Sequence, residues 1–303
     1  MLGSVLWWQH IPASPPRVVV VANNGGTEVV DGVVLRRARP GRSMVPDVLG
    51  VLRSEGIDLL HFHTFGAGWK EILPWGVFHE ASGVPVIVSQ HSFDRDLGEM
   101  SPFERTMTRL WMGRLSRTVC SGAGVLQKLR ALGVASERIC QVTPFIAPTM
   151  PDLAEHSFPA EIEALKERCS PLVASGTGRL VVLNGKDLYG LDVFVRAAKQ
   201  VVQRLPAAGF VYLIAHHGDE RLLEESRQYV RDNGLSDNVC IHVGDLSAPL
   251  MWAAGDIFVR PTIDDGDAVS LREAMFLGVP SVASDVVARP EGCRTYRGGD
   301  ADD

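Results

Sequence analysis

Short β-branched runs alternate with helix-length amphipathic segments along almost the whole chain. "RVVVVAN", "IDLLHFH", "VPVIVSQ" and "RTVCS" occur in the first half, and "RLVVLNG", "GFVYLIAH", "NVCIHVG" and "DIFVRPT" in the second. Runs with so little polar alternation suit strands buried on both faces, which parallel sheets with crossover helices provide. The pattern therefore predicts an α/β protein of two Rossmann-like, doubly wound domains. At 303 residues the chain exceeds what one core serves, and two domains of roughly 100–200 residues each fit it. Residues 148 to 178 are rich in Pro, Ser and charge, with one helix-like piece near Pro159 to Cys169, and read as the connection between domains 1 to 147 and 179 to 303. Two such domains facing each other across a cleft hold ligands at the carboxyl ends of their strands.

Charge and cysteine usage narrow the partners. A formal net charge of −6 and the absence of any long Lys/Arg run argue against a nucleic-acid backbone as the partner. The five cysteines are scattered and form no C-x-x-C pair, which disfavours a disulfide framework and a structural zinc site and suits a reducing cytoplasm. The apolar runs are strand length, well short of the roughly 18–20 residues that cross a bilayer. "MLGSVLWWQH" lacks the basic start and sustained apolar stretch of a signal peptide.

The most informative segment follows the last strong strand. After "GDIFVRPT" come Asp264, Asp265, Gly266 and Asp267, then a helix pattern from about Ser270 to Leu277, with Gly278 placed for a left-handed C-cap and Pro280 barring continuation. A helix starting there directs free N–H groups and its dipole toward an anion such as phosphate. Local readings compete with this. Ser270 and Glu273 have capping-box spacing, and "DDGD" is by default a solvated turn.

The whole string "FVRPTIDDGDAVSLREAMFLGVPSVASD" resembles the acidic-x7-Glu signature of retaining, GT-B-fold nucleotide-sugar glycosyltransferases of family 4 (glycosyl transferases group 1). "VVARPEG" resembles a branch concerned with polysaccharides and related glycoconjugates. The resemblance covers most of the chain, the second domain better than the first. It implies that Asp265, one methylene shorter than the usual Glu, holds donor-sugar hydroxyls. Gly266 and the amides of Ser270 and Leu271 would hold the diphosphate, Asp267 belongs to the same donor turn, and Glu273 would hold the ribose. In "RLVVLNGKDLYGLDVFVRAAKQV", Gly185 and Lys186 stand where the family has Gly-Arg, and Lys186 would offset charge on the departing diphosphate. Tyr189 stands where the family has Lys. His91, ending "VPVIVSQH", matches a family histidine beside the reacting sugar. His61 and His63 share one strand face, but a metal reading needs a third ligand, and the family needs neither metal nor other cofactor. "GAGWKE" has Glu71 where a dinucleotide motif needs its third glycine.

"PFERTMTRLWMGRLSRTV" reads as a helix with Phe103, Met107, Leu110 and Trp111 on one side and Arg105, Arg109, Arg114 and Arg117 around it. It fits either a packed domain helix or one resting on an anionic membrane. The resemblance thus implies a retaining hexosyltransferase; the cysteine usage places it in the cytoplasm, and the membrane alternative for this helix would add peripheral contact with the inner face of the membrane. It would move sugar from a nucleotide-sugar to a glycan, lipid-linked or small-molecule acceptor. Tyr189, Asp265 and termini shorter than the family pattern keep a non-catalytic nucleotide-sugar-binding subunit as an alternative, with a GT-B-type epimerase as another.

Overall fold

The structure, a computed structural model, describes residues 19–22, 29–30, 33–37, 45–64, 68–91, 97–143, 145–148 and 157–302. The chain divides between Ile146 and Ala147 into two units.

In the first unit β1 (Val19–Ala22), β2 (Val29–Val30) and β3 (Val33–Arg37) form a small sheet in which β1 runs parallel and β2 antiparallel to β3. There follow α1 (Val45–Glu55), β4 (Leu60–Thr64), α2 (Trp69–Ser82), β5 (Val86–Gln90), α3 (Pro102–Met112), β6 (Arg117–Cys120), α4 (Ala123–Ala131) and β7 (Ile139–Gln141). Strands β4, β5, β6 and β7 lie in that order in a parallel sheet. The capping rules are visible locally. Ser101 Oγ accepts from the Glu104 amide at 3.2 Å, Glu104 Oε2 accepts from the Ser101 amide at 2.9 Å, and Pro102 opens α3. Ile72, Trp75, Val86, Val88, Met112 and Leu129 form the core between sheet and helices.

Helix α3 packs only part of the apolar side read from its sequence. Thr108 and Met112 are the buried residues, whereas Phe103 is 61% and Leu110 40% exposed. Trp111, from the same apolar side, packs closely on α2, where a Cβ on Gly76 would meet its ring at 2.7 Å. Among the described residues no helix is long and apolar enough to cross a membrane.

The second unit holds α5 (Ala160–Arg168), β8 (Leu172–Thr177), β9 (Val182–Leu183), β10 (Lys186–Asp187), α6 (Leu191–Arg204), β11 (Gly209–Ile214), α7 (Glu220–Asp232), β12 (Val239–Val243), α8 (Ala248–Ala254), β13 (Ile257–Arg260), α9 (Val269–Phe276), β14 (Ser281–Ser284) and β15 (Arg294–Tyr296). Its sheet is six-stranded and wholly parallel, in the order β12-β11-β8-β13-β14-β15. Alternate residues serve opposite faces. Leu172, Ala174, Val211 and Leu213 join α5, α8 and α9 in one cluster, and Val173, Phe210, Tyr212 and Ile214 join α6 and α7 in the other. Helices on both faces make this unit doubly wound.

Two segments differ from the expectation. The first sheet strand is "LVASGT", placed by sequence in the connection, and "RLVVLNG" contributes only the two residues of β9. Small residues are required in β8 because a Cβ on Gly176 would lie 2.8 Å from the Leu213 carbonyl and 3.0 Å from the Trp252 ring. In "LVVLNGKD", Asn184 (φ 51°) and Gly185 (φ 75°) are both left-handed and turn β9 back onto β10, pairing Leu183 with Lys186.

Counted from β8, the sheet order is that of dinucleotide-binding folds, in which the chain reverses direction beside the first strand. The switch point therefore lies between the carboxyl ends of β8 and β13.

Candidate functional site

Three loops meet at this switch point. The first leads into α6. Its Gly190 has φ 72°, and a Cβ there would lie 1.9 Å from the Pro261 carbonyl, so only glycine fits. Leu188 O accepts from the Ile263 amide at 3.0 Å, tying this loop to the exit of β13. Asp187 is buried and accepts from the amides of Tyr189 (2.9 Å) and Asp192 (3.2 Å). Burial raises its pKa against the pull of those amides. The buried Tyr212 hydroxyl donates to Tyr189 O at 3.0 Å.

The second loop runs from Pro261 to Ala268 and is organised around Asp265. Its Oδ2 accepts from Arg260 Nε (3.3 Å), Thr262 Oγ1 (3.3 Å) and Arg289 Nη1 (2.9 Å), and its Oδ1 from the Gly266 amide (3.1 Å). The Asp265 side chain is 8% exposed. Burial works against ionisation, but Arg260 and Arg289 outweigh it and hold Asp265 below its ordinary pKa. Asp267 is pinned in the same turn by Arg272 Nε at 2.7 Å. The third loop follows β14 and delivers Arg289, which also donates to Ser284 O (2.8 Å) and Ser284 Oγ (3.0 Å).

Helix α9 starts one residue before the sequence expectation. Ala268 is its N-cap and no side chain caps it, so Ser270 is the second helical residue and its capping box with Glu273 does not form. Glu273 accepts instead from Trp252 Nε1 at 3.1 Å, and burial raises its pKa, partly countered by that indole. Gly278, with φ 78°, ends the helix as expected. Asp265, Gly266, Asp267, Ser270, Leu271 and Glu273 therefore belong to one loop and helix start at the switch point. Leu271 turns its side chain into the core.

Gly185 and Lys186 are placed differently from the expectation. They belong to the β9–β10 hairpin, outside the six-stranded sheet, and Lys186 is exposed. The residue that ends the first sheet strand is Thr177. The positive charge at the switch point comes from Arg260 and Arg289, neither of which was singled out by sequence. An ionisable residue closing the apolar run "DIFVR" was the available signal.

His91 lies in the first unit, just after β5. Its amide donates to Thr64 O (3.0 Å), its carbonyl accepts from Ser121 Oγ (2.9 Å), and its Nε2 is 2.8 Å from His63 Nδ1. His61 Nε2 is 2.8 Å from Ser89 Oγ, and the His61 and His63 ring centroids are 4.4 Å apart. Burial lowers the pKa of all three; for His63, burial and the neighbouring rings bring it to about 4. The rings are therefore neutral near pH 7. Among the described residues no group of three His, Cys, Asp or Glu side chains is arranged to hold a metal.

Residues 9–149 match Glycosyltransferase Family 4, and residues 176–299 match Glycosyl transferases group 1. The chain belongs to glycosyltransferase family 4. Its two α/β units with parallel sheets are the GT-B architecture, and solved glycosyltransferases share it. HepE from Anabaena, solved with UDP-glucose, is similar over 89% of this chain and 74% of its own, with TM-score 0.66 and 14% identity. A glycosyltransferase from Rickettsia africae is similar over 94% of this chain and 77% of its own, with TM-score 0.70 and 9% identity. Sucrose-phosphate synthase from Thermosynechococcus elongatus is similar over the same shares, with TM-score 0.69 and 14% identity. No curated protein matches this family 4 chain in sequence.

Proposed function

We propose that this family 4 chain is a retaining hexosyltransferase whose nucleotide-sugar donor docks at the switch point of the second unit. The observation that supports the reading most is the juxtaposition there of Asp265, Glu273 and the uncapped start of α9. Uncapped amides with the positive end of the helix dipole suit a diphosphate. A half-buried carboxylate such as Glu273, with one oxygen taken by the Trp252 indole, suits a pair of ribose hydroxyls as further donors. That HepE has been solved with UDP and with UDP-glucose favours a nucleoside diphosphate sugar over a free sugar.

In this reading the bond between the anomeric carbon and the diphosphate breaks, and the leaving charge is taken up by the α9 amides and the arginines beside them, with no metal or other cofactor. Asp265 orients the sugar, and His91 presents a neutral imidazole to the reacting centre. The acceptor hydroxyl attacks on the face the diphosphate leaves, forming the new glycosidic bond and passing its proton to the departing diphosphate oxygen, which retains the anomeric configuration. The acceptor is a glycan, a lipid-linked sugar or a small molecule. Exposed Phe103 and Leu110, with exposed Arg105 and Arg109 on the same helix, suit a peripheral hold on an anionic membrane where a lipid-linked acceptor waits. Such contact would place the protein at the cytoplasmic face.

The test is nucleotide release from a panel of UDP-, GDP- and ADP-sugars with candidate acceptors. One donor should release nucleotide in the wild type, and Glu273→Ala should abolish release. Nucleotide binding without release from any donor would instead favour a non-catalytic binding subunit. Donor epimerisation without transfer would favour the epimerase reading.

A further inference from the structure

Arg260 and Arg289 both reach Asp265 Oδ2, yet their surroundings differ. The Arg289 side chain is 3% exposed, and all three of its nitrogens are engaged, by Ser284 O, by Asp265, and by Ser284 Oγ with Thr262 Oγ1. It is a firmly held brace. The Arg260 side chain is 11% exposed and makes two long contacts, from Nε to Asp265 at 3.3 Å and from Nη1 to Gly176 O at 3.4 Å. A guanidinium carries five N–H donors, and two long contacts leave Arg260 capacity to meet a ligand's acceptor oxygens. Its position compounds the point. Arg260 ends β13 and reaches the carbonyl of Gly176 near the end of β8, so it spans the switch point where ligands bind in such sheets.

The third observation is Tyr189, which stands where the family pattern has Lys. The Arg260 guanidinium lies 5.4 Å from the centre of the Tyr189 ring. An ammonium at position 189 would press a like charge on Arg260, whereas the ring offers it an attractive face. Two guanidiniums share one carboxylate at Asp265, and the nearby Asp187 carboxyl is already occupied with the amides that open α6.

We propose that Arg260 is the cation that faces the β-phosphate of a nucleoside diphosphate at this switch point, taking over the charge that position 189 lacks. Asp265 orients Arg260, and Arg289 braces Asp265. This rests on the donor site proposed above, and it assigns the phosphate contact to Arg260 in preference to Lys186, which sits on the exposed hairpin.

The experiment compares nucleoside diphosphates with the matching monophosphates (UDP and UMP, GDP and GMP, ADP and AMP) by calorimetric titration of the full chain. In Arg260→Gln the monophosphate affinity should stay within about twofold, while the diphosphate affinity falls by about tenfold or more, as expected for loss of a charge-assisted contact. Adding Tyr189→Lys to Arg260→Gln should recover part of the diphosphate preference. If Arg260→Gln does not fold, Arg260→Lys, which keeps the charge against Asp265, should still narrow the gap between diphosphate and monophosphate. An unchanged ratio in either folded variant overturns the assignment and leaves the donor site standing. A wild type that binds none of the six nucleotides removes the donor site and, with it, the role of Arg260.

Discussion

The polar clusters of the two units are built from opposite electrostatics. In the first unit His61, His63 and His91 are half-buried rings that burial keeps neutral, joined by hydrogen bonds whose direction depends on tautomer. In the second, Arg260, Asp265 and Arg289 are fixed charges, with the carboxylate held ionised by its neighbours. Both clusters are carried by parallel strands and the residues just after them, so position alone does not set their character. What differs is the side chain each strand presents there. A neutral imidazole pair offers one donor or one acceptor to a polar group, whereas a preset charge cluster answers an anion without rearrangement. A diphosphate therefore suits the second unit and an uncharged hydroxyl the first.

The contrast breaks most readily at Asp265. Asp265→Ala leaves two arginines without their carboxylate and should cost about 3–5 kcal/mol, as for one-sided loss of a buried ion pair. His91→Ala, removing one ring contact, should cost about 1 kcal/mol. Urea unfolding followed by circular dichroism checks both, and equal losses would erase the distinction. Next is Gly190→Ala, which sets a Cβ against the Pro261 carbonyl at a left-handed position and should cost about 3 kcal/mol in the same assay. A variant as stable as wild type would mean the switch-point loops are not held as rigidly as their contacts imply.

Smaller effects come from pH. Asp265 has a lowered pKa, so its contribution is present above its ordinary 3.8 and lost as pH falls through the folded value. Glu273 has a raised pKa, so its contribution is present below 4.5 and lost as pH rises through the folded value. Urea midpoints across pH should show Asp265→Asn flattening the acid loss of stability and Glu273→Gln flattening the loss of opposite sign. Matching profiles for the two variants would contradict their separate environments. The smallest expected change is in the first unit. His63 contributes stability above pH 6.5 that is lost as pH falls toward about 4, so His63→Gln should lose less than wild type between pH 7 and 5.

Much of the second unit's site was legible in sequence because its signals are local. The strand "DIFVR", the acidic turn, the helical pattern and the Gly278 and Pro280 stop lie within about one helix and one strand of each other. The exact start of α9 was not legible. Moving the N-cap from the expected position to Ala268 removes the capping box, and a periodic pattern does not resolve one residue. Strand β8 was missed because Ser175, Gly176 and Thr177 look like loop residues. Their smallness answers Leu213 and Trp252, which are distant in sequence. The same blindness to distant partners concealed Arg260, whose neighbours Gly176 and Arg289 lie 84 residues before and 29 after it. The hairpin that displaced Lys186 did carry a local mark, the Asn184-Gly185 pair, but the apolar run before it read as a sheet strand.

The central claim is that a nucleoside diphosphate occupies the switch point of the second unit. Hydrogen–deuterium exchange of the full chain, with and without saturating UDP, GDP or ADP, tests it directly. One of these nucleotides should slow exchange across residues 260–273, around Asp265 and the first turn of α9. Unchanged exchange there, with a nucleotide shown by calorimetry to be bound, would place the ligand elsewhere and contradict the account.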